Sequence, residues 1–172
     1  DTPFGIVYYD GAAMRSIGCT ARVENVAKRY EDGKLDIVVR GEHRFKIDEI
    51  LEQEPIVTVQ ATLLNEKNGH AESIPKLIEQ SLTQLDRLAE ITRSTVDTKA
   101  LREFDPARVS YILSSLDVFS AEEKQHFLEY ETTSQRLLGC LQSLAGVVKT
   151  YDISKTVKTL FPESGSLLHR FN

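Results

Sequence analysis

The sequence predicts an α+β protein: a small antiparallel β barrel or strongly curled sheet over residues 1–68, followed by an α-helical bundle over residues 69–172. Three observations predict it. Apolar residues alternate with a period of two in several runs before Leu64, as half-buried strands require. From Ser73 onward the apolar period becomes helical. Between the two regimes lies the polar "NEKNGHAES", whose Asn68-Gly69 is a turn signal.

The elements follow in order. "GIVYY" (Gly5 to Tyr9) is a short apolar strand, followed by the loop "DGAAMRS". In the next run Cys19, Ala21 and Val23 point one way and Thr20, Arg22 and Glu24 the other. The next apolar residue, Val26, comes after a step of three, which predicts a bulge near Glu24 and Asn25. Asp32-Gly33 then turns a hairpin, because glycine takes positive φ at little steric cost. The return strand sets Leu35, Ile37 and Val39 on one face. Gly41 bends it, and Phe45 and Ile47 resume an inward face. Behind Pro55, Ile56 to Leu64 forms a further strand with Val57, Val59, Ala61 and Leu63 in phase. Four or five such strands joined by short turns predict a small barrel or a strongly curled sheet.

The helical half opens at Ser73, expected to cap a helix with Pro75 in its first turn. Its stripe is Ile74, Leu77, Ile78, Leu82, Leu85, Leu88 and Ile91. A second helix starts at Asp105-Pro106 and buries Val109, Ile112, Leu113 and Leu116. A third opens on the capping box of Ser120 and Glu123, with Phe127 and Leu128 behind it. "ETTS" (Glu131 to Ser134) reads as a turn. A fourth helix carries Leu137, Leu138, Leu141, Leu144 and Val148. After Tyr151 the pattern is less regular, and Pro162 and Gly165 break it.

Composition narrows the function. Hydrophobic content of 41% and charged content of 27% are those of a folded chain. The formal net charge is −5, and neither half is basic. A phosphate-binding surface normally needs a positive face, so no nucleic-acid partner is expected. No apolar run reaches the length of a membrane span, so no membrane partner is expected either. The acidic-leaning, well-mixed surface fits a cytoplasmic protein. Cys19 and Cys140 are expected to be buried thiols of a reducing compartment. The chain opens at Asp1 rather than Met, so a natural N-terminus upstream is expected.

Motifs that carry chemistry are missing. There is no phosphate loop, no nucleophile elbow, no dinucleotide fingerprint and no H-E-x-x-H. His70 and Glu72 form H-x-E, but the P-C-x-x-C of a zinc deaminase is absent. His43, His70, His126 and His169 are scattered over turns, a helix and the tail, which does not build a metal set. The carboxylate pairs Glu122/Glu123 and Glu129/Glu131 fall at a helix start or turn, where the helix dipole and solvent account for them. Arg40 and Arg44 flank the Gly41 bend as candidates for an anion. Of the adjacent Tyr8 and Tyr9, one is expected in the core and the other at an edge or a binding contact. No catalytic, metal or cofactor-binding residue is assigned, and no cofactor is expected.

Several of these segments, taken together and in order, resemble the N-terminal substrate-binding domain of Lon proteases. The matching pieces are Phe4-Gly5-Ile6-Val7, Ile17-Gly18-Cys19-Thr20-Ala21-Arg22-Val23, Asp32-Gly33-Lys34-Leu35, Gly41 to Ile47 and Glu54-Pro55. The helical "SAEEKQHFLEYETTSQRLLGCLQSL" is also similar, with its S-x-E-E-K-Q start and later R-L-L. Family members often place Gly and Thr side by side, whereas Cys19 separates Gly18 from Thr20 here. The family's first strand, proline-rich segment and helix are absent before Phe4, and its ATPase and Ser-Lys protease motifs are absent altogether. The resemblance therefore implies a PUA-like pseudo-barrel with helices and a non-enzymatic role. That role is contact with unfolded or partly folded polypeptides through an apolar groove or a sheet edge. The alternative is a structural role in self-association, with a homo-oligomer as its product.

Overall fold

A computed structural model describes residues 2–160, excepting the side chains of residues 155 and 157–160. The chain divides into two compact units, Asp1–Glu66 and Lys67–Asn172.

The first unit is a curled antiparallel meander of four strands: β1 (Phe4–Tyr9), β2 (Met14–Arg29), β3 (Leu35–Glu52) and β4 (Thr58–Leu64), in that spatial order. The β1–β2 turn is tighter than the predicted loop. The Asp10 carboxylate accepts the Ala12 and Ala13 amides at 2.9 and 2.8 Å, which makes an Asx-type turn. At the β2–β3 turn Gly33 has φ +86 and donates its amide to the Tyr30 carbonyl at 3.1 Å. The predicted irregularity at Glu24 is present: Val23 pairs with Val39, and Asn25 with Val38.

A second bulge corrects the predicted inward face of β3. Cys19 pairs with Arg44 and Ala21 with Gly41. Two residues of β2 thus span three of β3, and the extra residue sits at Glu42 and His43. Thr20 stabilises it, since its hydroxyl accepts the His43 amide at 3.1 Å. Cys19 and Ala21 share a face, so Arg44 and Gly41 share it too. Leu35, Ile37 and Val39 therefore lie on the face opposite Phe45. Phe45 is buried, whereas Leu35, Ile37 and Val39 are exposed. Val57, which falls just ahead of β4 rather than in it, and Leu63 are likewise exposed.

The second unit is helical: a single 3-10 turn (Ala71–Ser73), then α1 (Ile74–Thr92), α2 (Thr98–Leu101), α3 (Pro106–Ser114), α4 (Ala121–Glu129) and α5 (Thr133–Leu160). The α1 stripe is as predicted, with Ile74, Leu82, Leu85 and Leu88 buried. Its start differs. Ser73 makes no side-chain cap, because its hydroxyl donates to the His70 carbonyl at 2.8 Å. The short α2 has no counterpart among the predicted helices. Asp97 caps it by accepting the Lys99 and Ala100 amides, both at 3.1 Å. Asp105 caps α3 through the Arg108 amide at 3.0 Å. The box at Ser120 and Glu123 is complete in both directions.

α5 corrects three expectations. Thr133 and Ser134 belong to its first turn rather than to a preceding loop, and both are buried. The Lys67 and Asn68 carbonyls accept their amides at 2.8 and 3.1 Å. Thr132 and Gln135 form a further reciprocal cap, with the Thr132 hydroxyl accepting the Gln135 amide and the Gln135 side-chain oxygen accepting the Thr132 amide, each at 3.2 Å. The sequence signal for this is the T-x-x-Q of "TTSQ". Leu138 is exposed and Cys140 takes its place in the stripe with Leu137, Leu144 and Val148. The helix runs past Tyr151 to Leu160. Pro162 and Gly165 lie outside the described residues.

The helical core contains Leu82, Leu85, Val109, Leu113, Phe119, Phe127, Leu137 and Leu144. The Phe119 and Phe127 rings meet edge to face at 5.0 Å. Arg136 lies fully buried among them. No helix among the described residues is long and apolar enough to cross a membrane.

Cys140 allows a direct check of this core. Burial pushes its thiol up to about 12. The unfolded chain ionises the same thiol near its ordinary value of 9.0. Between those values the unfolded state binds fewer protons, so this contribution to stability is complete below pH 9 and lost as pH rises toward 12. A thiol reagent is expected to modify half-buried Cys19 first and to reach Cys140 only on unfolding. Mass spectrometry of a labelling time course reads this directly. Equal rates at the two sites in the folded chain would refute the assignment.

Candidate functional site

Among the described residues, the polar side chains singled out in the sequence do not assemble into a site. Arg40 and Arg44 lie on opposite faces of β3, because the bulge at Glu42 and His43 separates them. Each has an acidic neighbour instead: Glu24 lies 3.4 Å from Arg40, and Glu66 3.5 Å from Arg44. His70 sits 3.6 Å from Glu72, both highly exposed. His43 is in the bulge and His126 in the last turn of α4. His169 lies outside the described residues. Among the described residues no three His, Cys, Asp or Glu side chains gather as metal ligands would. Glu123 is part of a helix cap, Glu129 accepts from Gln125 at 2.8 Å, and Glu131 faces Lys67 at 3.9 Å. Tyr8 is half-buried, and Tyr9 is exposed with its hydroxyl donating to the Gly11 carbonyl at 2.9 Å. Cys19 is half-buried rather than buried, and both cysteines are free.

What the first unit does present is apolar strand surface. Beyond the span of β1, residues 22–40 of β2 and β3 form a two-stranded ribbon. Pairings of Val23 with Val39 and Val26 with Ile37 put these four side chains on one face, and Leu35 extends the row. All but half-buried Val26 are exposed. Large exposed apolar patches are uncommon on a soluble surface and usually mark interaction sites. The ribbon's charges, by contrast, are largely matched. Arg22 donates to Glu42 at 3.0 Å, and Lys34 to Asp32 at 2.6 Å. The Arg22 guanidinium holds the Glu42 carboxyl below its ordinary value, and Lys34 does the same for Asp32.

The sheet has two outer strands, β1 and β4, neither paired on its far side by a strand among the described residues. An outer strand with free amides and carbonyls accepts an added strand. Phe45 packs over Gly5 and Gly18, where a methyl group would stand 2.9 Å from its ring. This is the physical content of the F-G and I-G pairs in the sequence.

The arrangement thus offers apolar strand surface and open edges, with no catalytic constellation assembled among the described residues. The chain belongs to the ATP-dependent protease La (LON) substrate-binding domain family, whose profile matches residues 10–146. It is similar to the Lon protease of Brevibacillus choshinensis, with 26% identity over 132 residues. That match covers 74% of this chain and 17% of the relative. The Lon protease of Azospirillum brasilense is 23% identical over 152 residues, covering 86% of this chain and 18% of the relative. The chain therefore spans less than a fifth of the length of the curated relatives it matches. Two solved structures share the fold. The N-terminal domain of the Mycobacterium avium complex Lon protease superposes with a TM-score of 0.68 at 19% identity, covering 83% of this chain and 77% of that one. A Lon N-terminal domain protein from Xanthomonas campestris gives a TM-score of 0.58 at 20% identity, covering 82% and 75%.

Proposed function

We propose that this chain is a non-catalytic module that binds unfolded or partly folded polypeptides, and that the first unit makes the contact. The observation that carries the reading is the exposed apolar row of Val23, Val39, Ile37 and Leu35 on the β2–β3 ribbon of a substrate-binding-domain family member. Apolar area removed from water supplies the driving force at roughly 25 cal/mol per Å². Strand edges add backbone hydrogen bonds without demanding a particular sequence. Such a site suits extended chains of varied composition.

Fluorescence anisotropy tests this, with a labelled, permanently unfolded protein titrated against the chain and a folded protein as control. Saturable binding of the unfolded probe alone is expected, weakened at least several-fold by Ile37→Ser with Val39→Ser. Absence of binding at high concentration would refute the reading. The open outer strands also favour a second reading, self-association through strand edges. A sedimentation coefficient independent of concentration would remove that one.

A further inference from the structure

The far end of the sheet carries a different surface from the ribbon. Here β3 and β4 close a hairpin, with Ile50 paired to Val59 and Glu52 to Thr58. Four apolar side chains stand out from it: Ile50, Leu51, Ile56 and Val57, of which Leu51 is 58% and Ile56 74% exposed. Leu51 is pushed out by a register shift, since Ile50 and Glu52 oppose the consecutive Val59 and Thr58. The same hairpin bears Asp48, Glu49, Glu52 and Glu54, and the chain has no Lys, Arg or His from Ile47 through Glu66. Thr62 donates to Asp48 at 2.7 Å and Thr58 to Glu52 at 3.3 Å. Among the described residues no cation pairs with any of the four. The contrast with the ribbon is direct, because there Arg22, Lys34 and Arg40 each sit against a carboxylate.

We infer that the β3–β4 hairpin docks polypeptide segments that combine apolar and basic residues, which rests on the polypeptide-binding reading above and gives it a selectivity. Charge chooses the occupant. A second copy placed hairpin to hairpin would set four carboxylates against four, and like charges across an interface oppose association. An anionic lipid surface or a nucleic-acid backbone meets the same repulsion. A segment with Lys or Arg beside its apolar residues covers Leu51 and Ile56 and supplies the missing counter-charges in one step.

The test uses the whole chain and two labelled peptides with the same apolar centre, one flanked by lysines and one by glutamates. Exposed ion pairs are individually weak, so four carboxylates are expected to favour the lysine peptide by roughly tenfold. Raising the salt should erase the preference, because the screening length falls to about 3 Å at 1 M. Joint Asp48→Asn, Glu49→Gln, Glu52→Gln and Glu54→Gln should bring the two peptides level while the melting temperature holds. Glu49→Lys with Glu52→Lys should reverse their order. Leu51→Ser with Ile56→Ser should weaken both. Equal binding of the two peptides by the unaltered chain would end this inference and leave the polypeptide-binding reading standing. A lysine preference that survives the carboxylate changes would place the selectivity elsewhere and also end it. Failure of every unfolded probe to bind would remove both. Concentration-dependent self-association abolished by Leu51→Ser with Ile56→Ser would replace the peptide with a second copy.

Discussion

Arg136→Met is expected to lower the stability of the helical unit by about 3 kcal/mol, the sum of lost charge-assisted bonds and stranded acceptors. Arg136 is fully buried on α5. Its Nε donates to the Phe127 carbonyl at 3.2 Å, and its Nη1 donates to the Ser110 hydroxyl at 2.8 Å. Its guanidinium lies 3.8 Å from the centre of the Tyr111 ring. One side chain thereby ties α3 and α4 to α5. Methionine fills much of the volume but satisfies neither oxygen and forfeits the cation–π contact. Arg136→Lys keeps the charge and loses the planar fork, so an intermediate loss is expected. For a unit of this size each kcal/mol moves the midpoint by roughly 4–8 °C. Thermal unfolding followed by circular dichroism measures it. A methionine variant that melts with the parent would show the guanidinium to be dispensable.

Arg136 also shows where sequence reading stops. An arginine among leucines on a helix is ordinarily a surface residue, because arginine is rarely buried without partners. Its partners here come from Ser110, Tyr111 and Phe127, on two other helices, and no spacing announces them. α1 is the opposite case. Its stripe from Ile74 to Ile91 declares both the element and the buried face, because one helix face meets one core. α2 is too short, at four residues, to show a period, and only Asp97 marks it with a cap signal. The strands lie between these extremes. Alternation locates β2 and β3, but one extra residue at Glu42 and His43 reverses the face of everything before it. That reversal turned a predicted inward row, Leu35, Ile37 and Val39, into the exposed surface on which the functional reading rests. The candidate surface was thus visible as an apolar pattern, but not as a surface. Its acidic counterpart on the β3–β4 hairpin needed the ion-pair geometry, since only that distinguishes matched carboxylates from unmatched ones.

Gly5 and Gly18 should respond differently to the same added methyl group, and the difference tests how the sheet is packed. Neither glycine has a positive φ, so what each needs is space rather than a special backbone. A methyl group on Gly5 would stand 2.9 Å from the Phe45 ring and meet nothing else within contact. A methyl group on Gly18 would meet the same ring at 2.9 Å and the Val7 side chain at 2.6 Å, and would also collide with the Ile6 carbonyl oxygen. Side chains can move, but the Ile6 carbonyl belongs to the β1–β2 ladder, where Ile6 pairs with Cys19. Overpacking of this kind costs about 1–3 kcal/mol, with Gly18→Ala expected at the upper end and Gly5→Ala at the lower. Phe45→Leu alone also destabilises, by about 1 kcal/mol, because buried volume is lost. Combined with Gly5→Ala it should cost less than the two changes added, since the shorter side chain makes room for the methyl group. Combined with Gly18→Ala it should recover little, because the obstacle is backbone. Urea unfolding of the single and double variants gives both coupling energies. Equal rescue at the two positions would mean that the ring alone excludes a side chain from Gly18. Rescue at neither would mean that Phe45 does not pack on these glycines in solution.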